Sequence, residues 1–535
     1  MKNAIKILAI IMVLVLSVFA FVACDFDMEF PFDGSGQGDN SGNGTGNNTG
    51  TGNGSNTGTG SNTGNSNNTG TGTGKTGTYT LDVYGINDLH GKFEDSEGQP
   101  GIDEMTTFLK NAEEEQNTIF LSAGDMWQGS CESGLTKGNM ITDWMNYLGF
   151  SAMTLGNHEF DWGGAPIQSN IEIAEFPILA INVYDIYTGK RLEGVEASTV
   201  VDKGDAKIGI IGAVGDCYGS ISADKVKGIE FKTDSTLTAL VKAEATRLRE
   251  EEGVDFIIYA LHDGIGKSWS TIKEFTGNLY NEDGDYYDVS LSDGYIDLVF
   301  EGHSHQNYIV KDQYGVYHLQ NGGDNKKGIT HANVVINFDT GENTVTPEFV
   351  GHSRYENESD DPIVDTLMAK YDNLVGTMND PLGTNKKTRN SSDLADRVAY
   401  LYYTKGVEKW GANYNIILGG GDINVRSPYN LYTGDITYAM LYMLFPFDNE
   451  IVLCSLTGSK LNSRFITNTE YVTYGYNSQT INANGTYYIV TDTWNSSYAY
   501  NGLKIVDYYA QNYYARDLLA DFAISGGTGG VGGFS

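Results

Sequence analysis

Five short apolar runs recur along the chain, and a polar turn follows each one directly. The runs are Leu81-Asp82-Val83-Tyr84-Gly85-Ile86, Thr118-Ile119-Phe120-Leu121-Ser122, Ser151-Ala152-Met153-Thr154-Leu155, Asp255-Phe256-Ile257-Ile258-Tyr259-Ala260 and Ile296-Asp297-Leu298-Val299-Phe300. Their length and their boundary residues predict strands. Two further runs, Phe176-Pro177-Ile178-Leu179-Ala180-Ile181 and Lys207-Ile208-Gly209-Ile210-Ile211-Gly212, add strands to the same sheets. Between residues 100 and 115, Ile102, Met105, Phe108, Leu109 and Ala112 recur at helical spacing, which predicts a helix over one sheet face. From about residue 362 the pattern changes. Ile363, Leu367, Met368 and Tyr371 mark a short amphipathic helix joining two domains, residues 394–407 mark another, and residues 517–522 mark a last one. Read alone, the pattern gives an α/β protein with an open sheet.

The turns carry the chemistry. They read Asn87-Asp88-Leu89-His90-Gly91, Gly124-Asp125, Gly156-Asn157-His158-Glu159-Phe160, Leu261-His262-Asp263 and Gly302-His303-Ser304-His305. In an α/β sheet, polar residues just past strand C-termini converge on one crevice. Of eight histidines, five (His90, His158, His262, His303, His305) fall in these turns, so the set outweighs any single motif. His318, His331 and His352 lie outside them and read as ordinary residues. Imidazole, carboxylate and amide oxygens suit borderline divalent metals, and this many donors exceeds what one tetrahedral ion needs. Two ions and a bridging carboxylate are implied. Metals about 3.5–4 Å apart can hold a hydroxide and clamp a phosphoryl group for in-line displacement. The expected output is hydrolysis of a phosphate ester.

These segments resemble the signature blocks of the calcineurin-like metallophosphoesterase superfamily, specifically the bacterial 5′-nucleotidase and UDP-sugar hydrolase family, over roughly residues 79–500. The resemblance implies an α/β fold of two packed mixed sheets with helices outside, followed by a smaller α/β substrate-binding domain. It implies that Asp88, His90, Asp125 and His305 hold one metal, while Asp125, Asn157, His262 and His303 hold the other. Asp125 is then the bridge, and the ions are two of Zn, Mn, Fe or Co. His158 is similar to the family's transition-state histidine, and Asp161 to the carboxylate that orients it. That pairing has its own logic, because a carboxylate favours the imidazolium and fixes its tautomer.

Further along, Asn415-Ile416-Ile417-Leu418-Gly419-Gly420-Gly421, Arg426 and Leu444-Phe445-Pro446-Phe447-Asp448-Asn449 resemble the family's substrate-binding domain. The resemblance implies that Arg426 faces an anionic group, that Phe447 and Trp494 stack on a flat ring, and that Asn449 or Asp492 bonds the base or sugar. The chain departs from the family pattern in two places. It inserts Asp422-Ile423-Asn424-Val425 before Arg426, and it shows no Gly-Gly-Asp-Gly segment after Tyr488-Ile489-Val490-Thr491-Asp492-Thr493-Trp494.

Length adds domain organisation. At 535 residues the chain exceeds one comfortable core. The expected divisions are a catalytic domain at 78–360, a linker helix at 361–378 and a substrate-binding domain at 379–535. The first 24 residues carry Lys2 and Lys6, then an apolar run from 7 to 22, then Ala23-Cys24, which reads as a signal peptide. The Phe21-Val22-Ala23-Cys24 junction resembles a bacterial lipobox, making Cys24 the lipid-bearing N-terminus. Residues 25–77, almost entirely Gly, Asn, Thr and Ser from 33 onward, read as a flexible tether.

A net charge of −35, from 69 acidic and 34 basic residues, argues against nucleic acid as a stable partner and against anionic lipid as a binding surface. The membrane is then reached through the lipid anchor alone. Small phosphorylated substrates remain allowed, because bound divalent cations dominate the local field. Cys131, Cys217 and Cys454 are expected to form no structural bridge. The combined expectation is an extracytoplasmic, lipid-anchored phosphohydrolase acting on nucleotides. A 2′,3′-cyclic-nucleotide phosphodiesterase or a nucleotide-sugar hydrolase would use the same site. A non-catalytic binding lipoprotein is the contrasting reading, and the intact ligand set argues against it.

Overall fold

The computed structural model describes residues 75–93, 101–113, 117–264, 274–275, 279–280, 286–323, 328–426, 430–497, 503–526 and 534. The expected signal peptide, Cys24 and nearly all of the tether lie outside these residues. Among the described residues no helix is long and apolar enough to cross a membrane.

The five apolar runs form strands β1 (Thr78–Ile86), β2 (Thr118–Ser122), β3 (Ala152–Thr154), β4 (Phe256–His262) and β5 (Leu298–Glu301). Every residue of β2, β4 and β5 is buried, as parallel strands covered on both faces require. They do not share one open sheet. β1, β2 and β3 pair in parallel within a six-stranded sheet, flanked by Ile178–Leu179 on one side and by antiparallel Ile329–Asn337 and Thr344–Val350 on the other. β4 and β5 pair in parallel at the centre of a seven-stranded sheet, with Ala206–Val214 beside β4 and Tyr317–Gln320 beside β5. The pattern alone could not separate the two sheets, because strands buried on both faces read alike.

The sheets face one another through Leu81, Val83, Ile119 and Leu121 on one side and Ile208, Ile210, Phe256, Ile258, Leu298 and Phe300 on the other. Outside the first sheet, helix Asp103–Glu113 buries Met105 and Leu109 against Tyr84 and Phe120. Outside the second, helix Asp234–Arg247 buries Leu237, Val241 and Ala245 against Ile257 and Tyr259. The C-terminal ends of all five strands open on one side of this sandwich.

Helix Ile363–Lys370 follows, with Leu367 packed into the first sheet's outer core and Tyr371 donating to Asp143 at 2.6 Å. Beyond it lies a second core around a five-stranded sheet, in the order Val472–Tyr474, Ile416–Gly421, Thr486–Asp492, Ile451–Thr457, Lys504–Tyr508. Helix Ser391–Trp410 covers it, capped by Asn390, whose side chain accepts from the Asp393 amide at 2.9 Å. This helix lies so close to the sheet that a Cβ on Gly419 would stand 2.2 Å from the Tyr403 nitrogen. Cys131, Cys217 and Cys454 are buried, and none of them forms a disulfide among the described residues.

Candidate metal centre and substrate cleft

The turns after β1, β2, β3, β4 and β5 meet at one point. Five of their side chains stand on left-handed backbone: Asp88 (φ 50°), His90 (52°), Asp125 (55°), His303 (70°) and His305 (52°). Left-handed backbone is uncommon for non-glycine residues, and it concentrates where a fold over-determines a functional site. These five follow β1, β2 and β5, while the turn after β3 carries Asn157 on ordinary backbone at φ −72°.

Two donor groups result. In the first, His90 Nε2 lies 3.0 Å from His305 Nε2, which lies 3.3 Å from Asp88 Oδ1. In the second, Asn157 Oδ1 lies 2.9 Å from His303 Nδ1 and 3.1 Å from His262 Nε2, and His262 Nε2 lies 3.1 Å from Asp125 Oδ2. Donors about 2.0–2.2 Å from one ion stand roughly 3.0–3.5 Å apart, so these spacings are those of ligands converging on a cation. Asp88, Asp125 and His262 also offer mutually close donor atoms, which links the two groups. Asp125 Oδ2 is buried, yet no group among the described residues gives it a well-aligned hydrogen bond. An anionic oxygen left so in the interior calls for a cation. The donor set therefore fits divalent metal ions.

The electrostatics agree. Burial pushes the Asp125 carboxyl up, but His262 and His158 outweigh it and hold the group well below the usual carboxylate range. Burial opposes a charge on His262, yet Asp125 and Asp88 raise it to about 10. The same anionic field that favours a proton on that ring favours a divalent ion in the proton's place. Burial and His262 push His303 down to about 4, leaving the neutral ring that metal ligation needs.

His158 stands apart from these groups. Its Nδ1 lies 2.6 Å from Asp161 Oδ2, and its amide donates to Asp125 Oδ1 at 2.8 Å. Burial lowers it, but Asp161 and then Asp125 raise it to about 9, so it carries a proton at neutral pH. One of its ring nitrogens lies within 4.8 Å of donor atoms of His90 and Asp125.

Several supporting residues were invisible in the sequence. Glu159 is fully buried and accepts from the amides of Asp125 (2.9 Å), Met126 (2.9 Å), Trp127 (3.2 Å) and Gly156 (2.6 Å), tying the turns after β2 and β3 together. Asn321 exchanges four hydrogen bonds with Asn87, joining the end of β1 to the other sheet beside Asp88. Gln128 accepts at its backbone oxygen from His90 Nδ1 (2.9 Å), which aims Nε2 at the crevice. Its side chain donates to Pro446 O at 3.1 Å. Motif reading finds Glu159 only as a neighbour of His158, and nothing local marks Asn321 or Gln128. His318 and His331, read as ordinary, each sit between two carboxylates: His318 between Glu301 (2.9 Å) and Asp312 (3.5 Å), His331 between Asp82 (2.8 Å) and Glu348 (3.1 Å).

The second core reaches the same crevice. The Phe447 ring stacks 5.9 Å from the His158 ring at 27°. Arg426 lies over the turn after β2, where a Cβ on Gly129 would stand 3.0 Å from its Nη1, and its charge acts to lower His158. Asp448, next to Phe447, bonds Lys137 at 2.7 Å from one side and Arg516 from the other. Phe447, Asn449, Asp492 and Trp494 line one cleft of about 30 Å³ together with Tyr402, Asp422 and Phe445. The expectation that Asp492 bonds the base or sugar meets a competing arrangement. Its Oδ1 accepts from the amide and the side chain of Asn495, both at 2.9 Å, and its Oδ2 from Tyr402 at 3.3 Å. Trp494 stands on a short helix, Thr493–Ser497, just past the strand end.

Comparison with known proteins follows the same line. Residues 81–307 match the family model of calcineurin-like phosphoesterases. The chain is 28% identical over 429 residues to an apyrase of Tabanus yao, covering 72% of this chain and 73% of the relative. It is 26% identical over 441 residues to protein UshA of Yersinia enterocolitica, covering 72% and 76%. Its fold is similar to a 5′-nucleotidase precursor from Thermus thermophilus, with a TM-score of 0.60, 18% identity, and 84% and 96% coverage. A putative 5′-nucleotidase from Staphylococcus aureus gives a TM-score of 0.62 at 15% identity, with 83% and 96% coverage. The chain carries a calcineurin-like phosphoesterase domain over residues 81–307 and is a metal-dependent phosphoester hydrolase.

Proposed function

We propose that this chain hydrolyses nucleotide phosphate esters with two divalent ions, using residues 78–360 for the chemistry and residues 379–535 to select the substrate. Its place is outside the cytoplasm, held at a membrane by Cys24. The observation that carries the reading is the approach of Phe447 from the second core to His158 at the edge of the donor groups. A ring that can hold a nucleobase thus stands beside the group that can serve a phosphate.

Asp88, His90, His305 and Asp125 would hold one ion, and Asp125, Asn157, His262 and His303 the other. When bound, such a pair supplies Lewis-acid polarisation of a phosphoryl oxygen and makes a water acidic enough to react at neutral pH. The chain's own residues do the rest. Asp161 fixes the His158 ring and keeps it protonated, so His158 can donate to an oxygen that gains charge as the ester bond breaks. Arg426 meets an anionic group at the mouth of the crevice. Phe447 and Trp494 take the flat ring, with Asn449 at its edge.

The test is phosphate release from a panel of AMP, a 2′,3′-cyclic nucleotide, a UDP-sugar and glycerol phosphate, using chain stripped by chelation and then reloaded with Mn or Zn. Turnover restored by metal and fastest on AMP supports the reading. Fastest release from the cyclic nucleotide or the sugar nucleotide redirects it to that substrate. Full activity in the stripped chain, or none on any ester after reloading, overturns it.

A further inference from the structure

Cys217 stands where a metal ligand could stand. It follows the strand Ala206–Val214, is 3% exposed, and forms no disulfide among the described residues. The Gly215 amide and the Cys217 thiol both donate to the His262 carbonyl, at 3.0 and 3.2 Å, so this loop is fastened alongside the end of β4. The donor atoms of Cys217, His262 and His303 all lie within 4.8 Å of one another. On one ion, a sulfur at about 2.3 Å and a nitrogen at about 2.1 Å stand at most roughly 4.4 Å apart. At tetrahedral angles the same pair stands about 3.6 Å apart, so side-chain movements of roughly an ångström bring the three donors onto a common centre. The buried Asp125 Oδ2, 3.1 Å from His262 Nε2 and without a well-aligned donor, is an anionic atom beside the same imidazole that attracts a cation.

We infer that Cys217 is a sulfur ligand to the ion held by His262 and His303, and that it tilts this site toward thiophilic metals such as Zn or Co and away from Mn. The inference rests on the dinuclear reading proposed above and adds to it a soft donor that oxygen and imidazole ligands do not supply. Binding replaces the thiol hydrogen by the metal, the proton leaves to solvent, and no oxidant is needed. The His262 carbonyl loses one donor and keeps the Gly215 amide.

Cobalt substitution of the full chain tests this without reference to turnover. Cobalt bound by thiolate gives an intense near-ultraviolet charge-transfer band that oxygen and nitrogen ligands lack. The native chain loaded with two equivalents of cobalt should show the band, and Cys217→Ser should lose it while still binding cobalt. Serine keeps the hydrogen bond to His262, so a merely structural cysteine would tolerate the exchange. The preference for Zn over Mn, measured by competition with a chelator, should fall at least about 10-fold in the variant, the low end of what losing even an outer partner of a metal site costs. X-ray absorption of the zinc-loaded native chain should record a sulfur neighbour whether or not the variant folds. Two bound cobalt ions with no sulfur signature overturn the ligand and leave the proposed reaction standing. No bound cobalt in the native chain overturns both.

Discussion

Asp125 and Asp492 are buried carboxylates at the two ends of the same crevice, and their surroundings drive them in opposite directions. Asp125 stands among His262, His158 and His90, which outweigh its burial and hold it well below the usual range. Asp492 stands among Asn495, Tyr402 and Asp422, and burial pushes it up to about 6. One end of the crevice is built to keep charge and the other to give it up. The metal end is assembled by backbone turns pinned from within by Glu159 and Asn321. The substrate end is a narrow cleft of about 30 Å³ whose walls include the Phe447 and Trp494 side chains.

The strongest way to break this contrast is to neutralise the charged end. Asp125→Asn should cost at least about 10³-fold in turnover, since metal charge stabilisation is worth several kcal/mol, and calorimetry should record fewer than two tightly bound ions. Unchanged turnover with two ions bound would remove Asp125 from the centre. Next comes His158→Ala, expected to cost about 10²–10⁴-fold in kcat with metal content nearly unchanged. Loss of metal in that variant would make His158 a ligand and reassign the site.

Smaller effects belong to the cleft. Phe447→Ala should raise the Michaelis constant for AMP about 5- to 150-fold, because stacking on an aromatic is worth about 1–3 kcal/mol per base. Hydrolysis of glycerol phosphate should barely change. Equal loss on both substrates would mean that Phe447 acts by seating the His158 ring it stacks on.

The smallest effect is on stability. An acid raised from an ordinary value of about 3.9 to about 6 favours the fold while protonated, and this contribution is lost as pH rises from about 4 through 6. Above that window the buried anion is a burden. Asp492→Asn, which keeps an acceptor for Asn495, should therefore stabilise the chain by up to about 3 kcal/mol at pH 8 and by almost nothing at pH 4. A loss of stability at pH 8 in urea unfolding would show that the ionised carboxylate is wanted there.

The same contrast explains what could be read from sequence. Each of the five site strands begins and ends within three residues of its apolar run, with the polar turn directly after, so both the strand and its donors are local facts. Helix Ser391–Trp410 outruns the apolar spacing at 394–407 because the Asn390 cap and Trp410 extend it at both ends. The division into two sheets was not legible, because β2 and β4 are both buried throughout and only their partners differ. Glu159, Asn321 and Gln128 act through contacts with distant backbone, which no spacing encodes. The cleft was legible only as residue types: Phe447, Asn449 and Trp494 do share a wall, but the engagement of Asp492 by Asn495 depends on a helix turn that the strand pattern hides.

The left-handed turns limit how this centre can be changed. Asp88, His90, Asp125, His303 and His305, the proposed ligands, satisfy two alphabets at once, that of residues able to bind metals and that of residues tolerated at positive φ, where Asn, Asp and His are enriched. Glutamate, glutamine and cysteine belong to the first alphabet and are not favoured by the second. Drift or engineering that seeks a different metal is therefore disfavoured at these five positions by the main chain, at roughly 1–2 kcal/mol each, before ligand chemistry is consulted. It is left to positions on ordinary backbone, such as Asn157 at φ −72°, and to neighbouring loops that can lend a donor from the side.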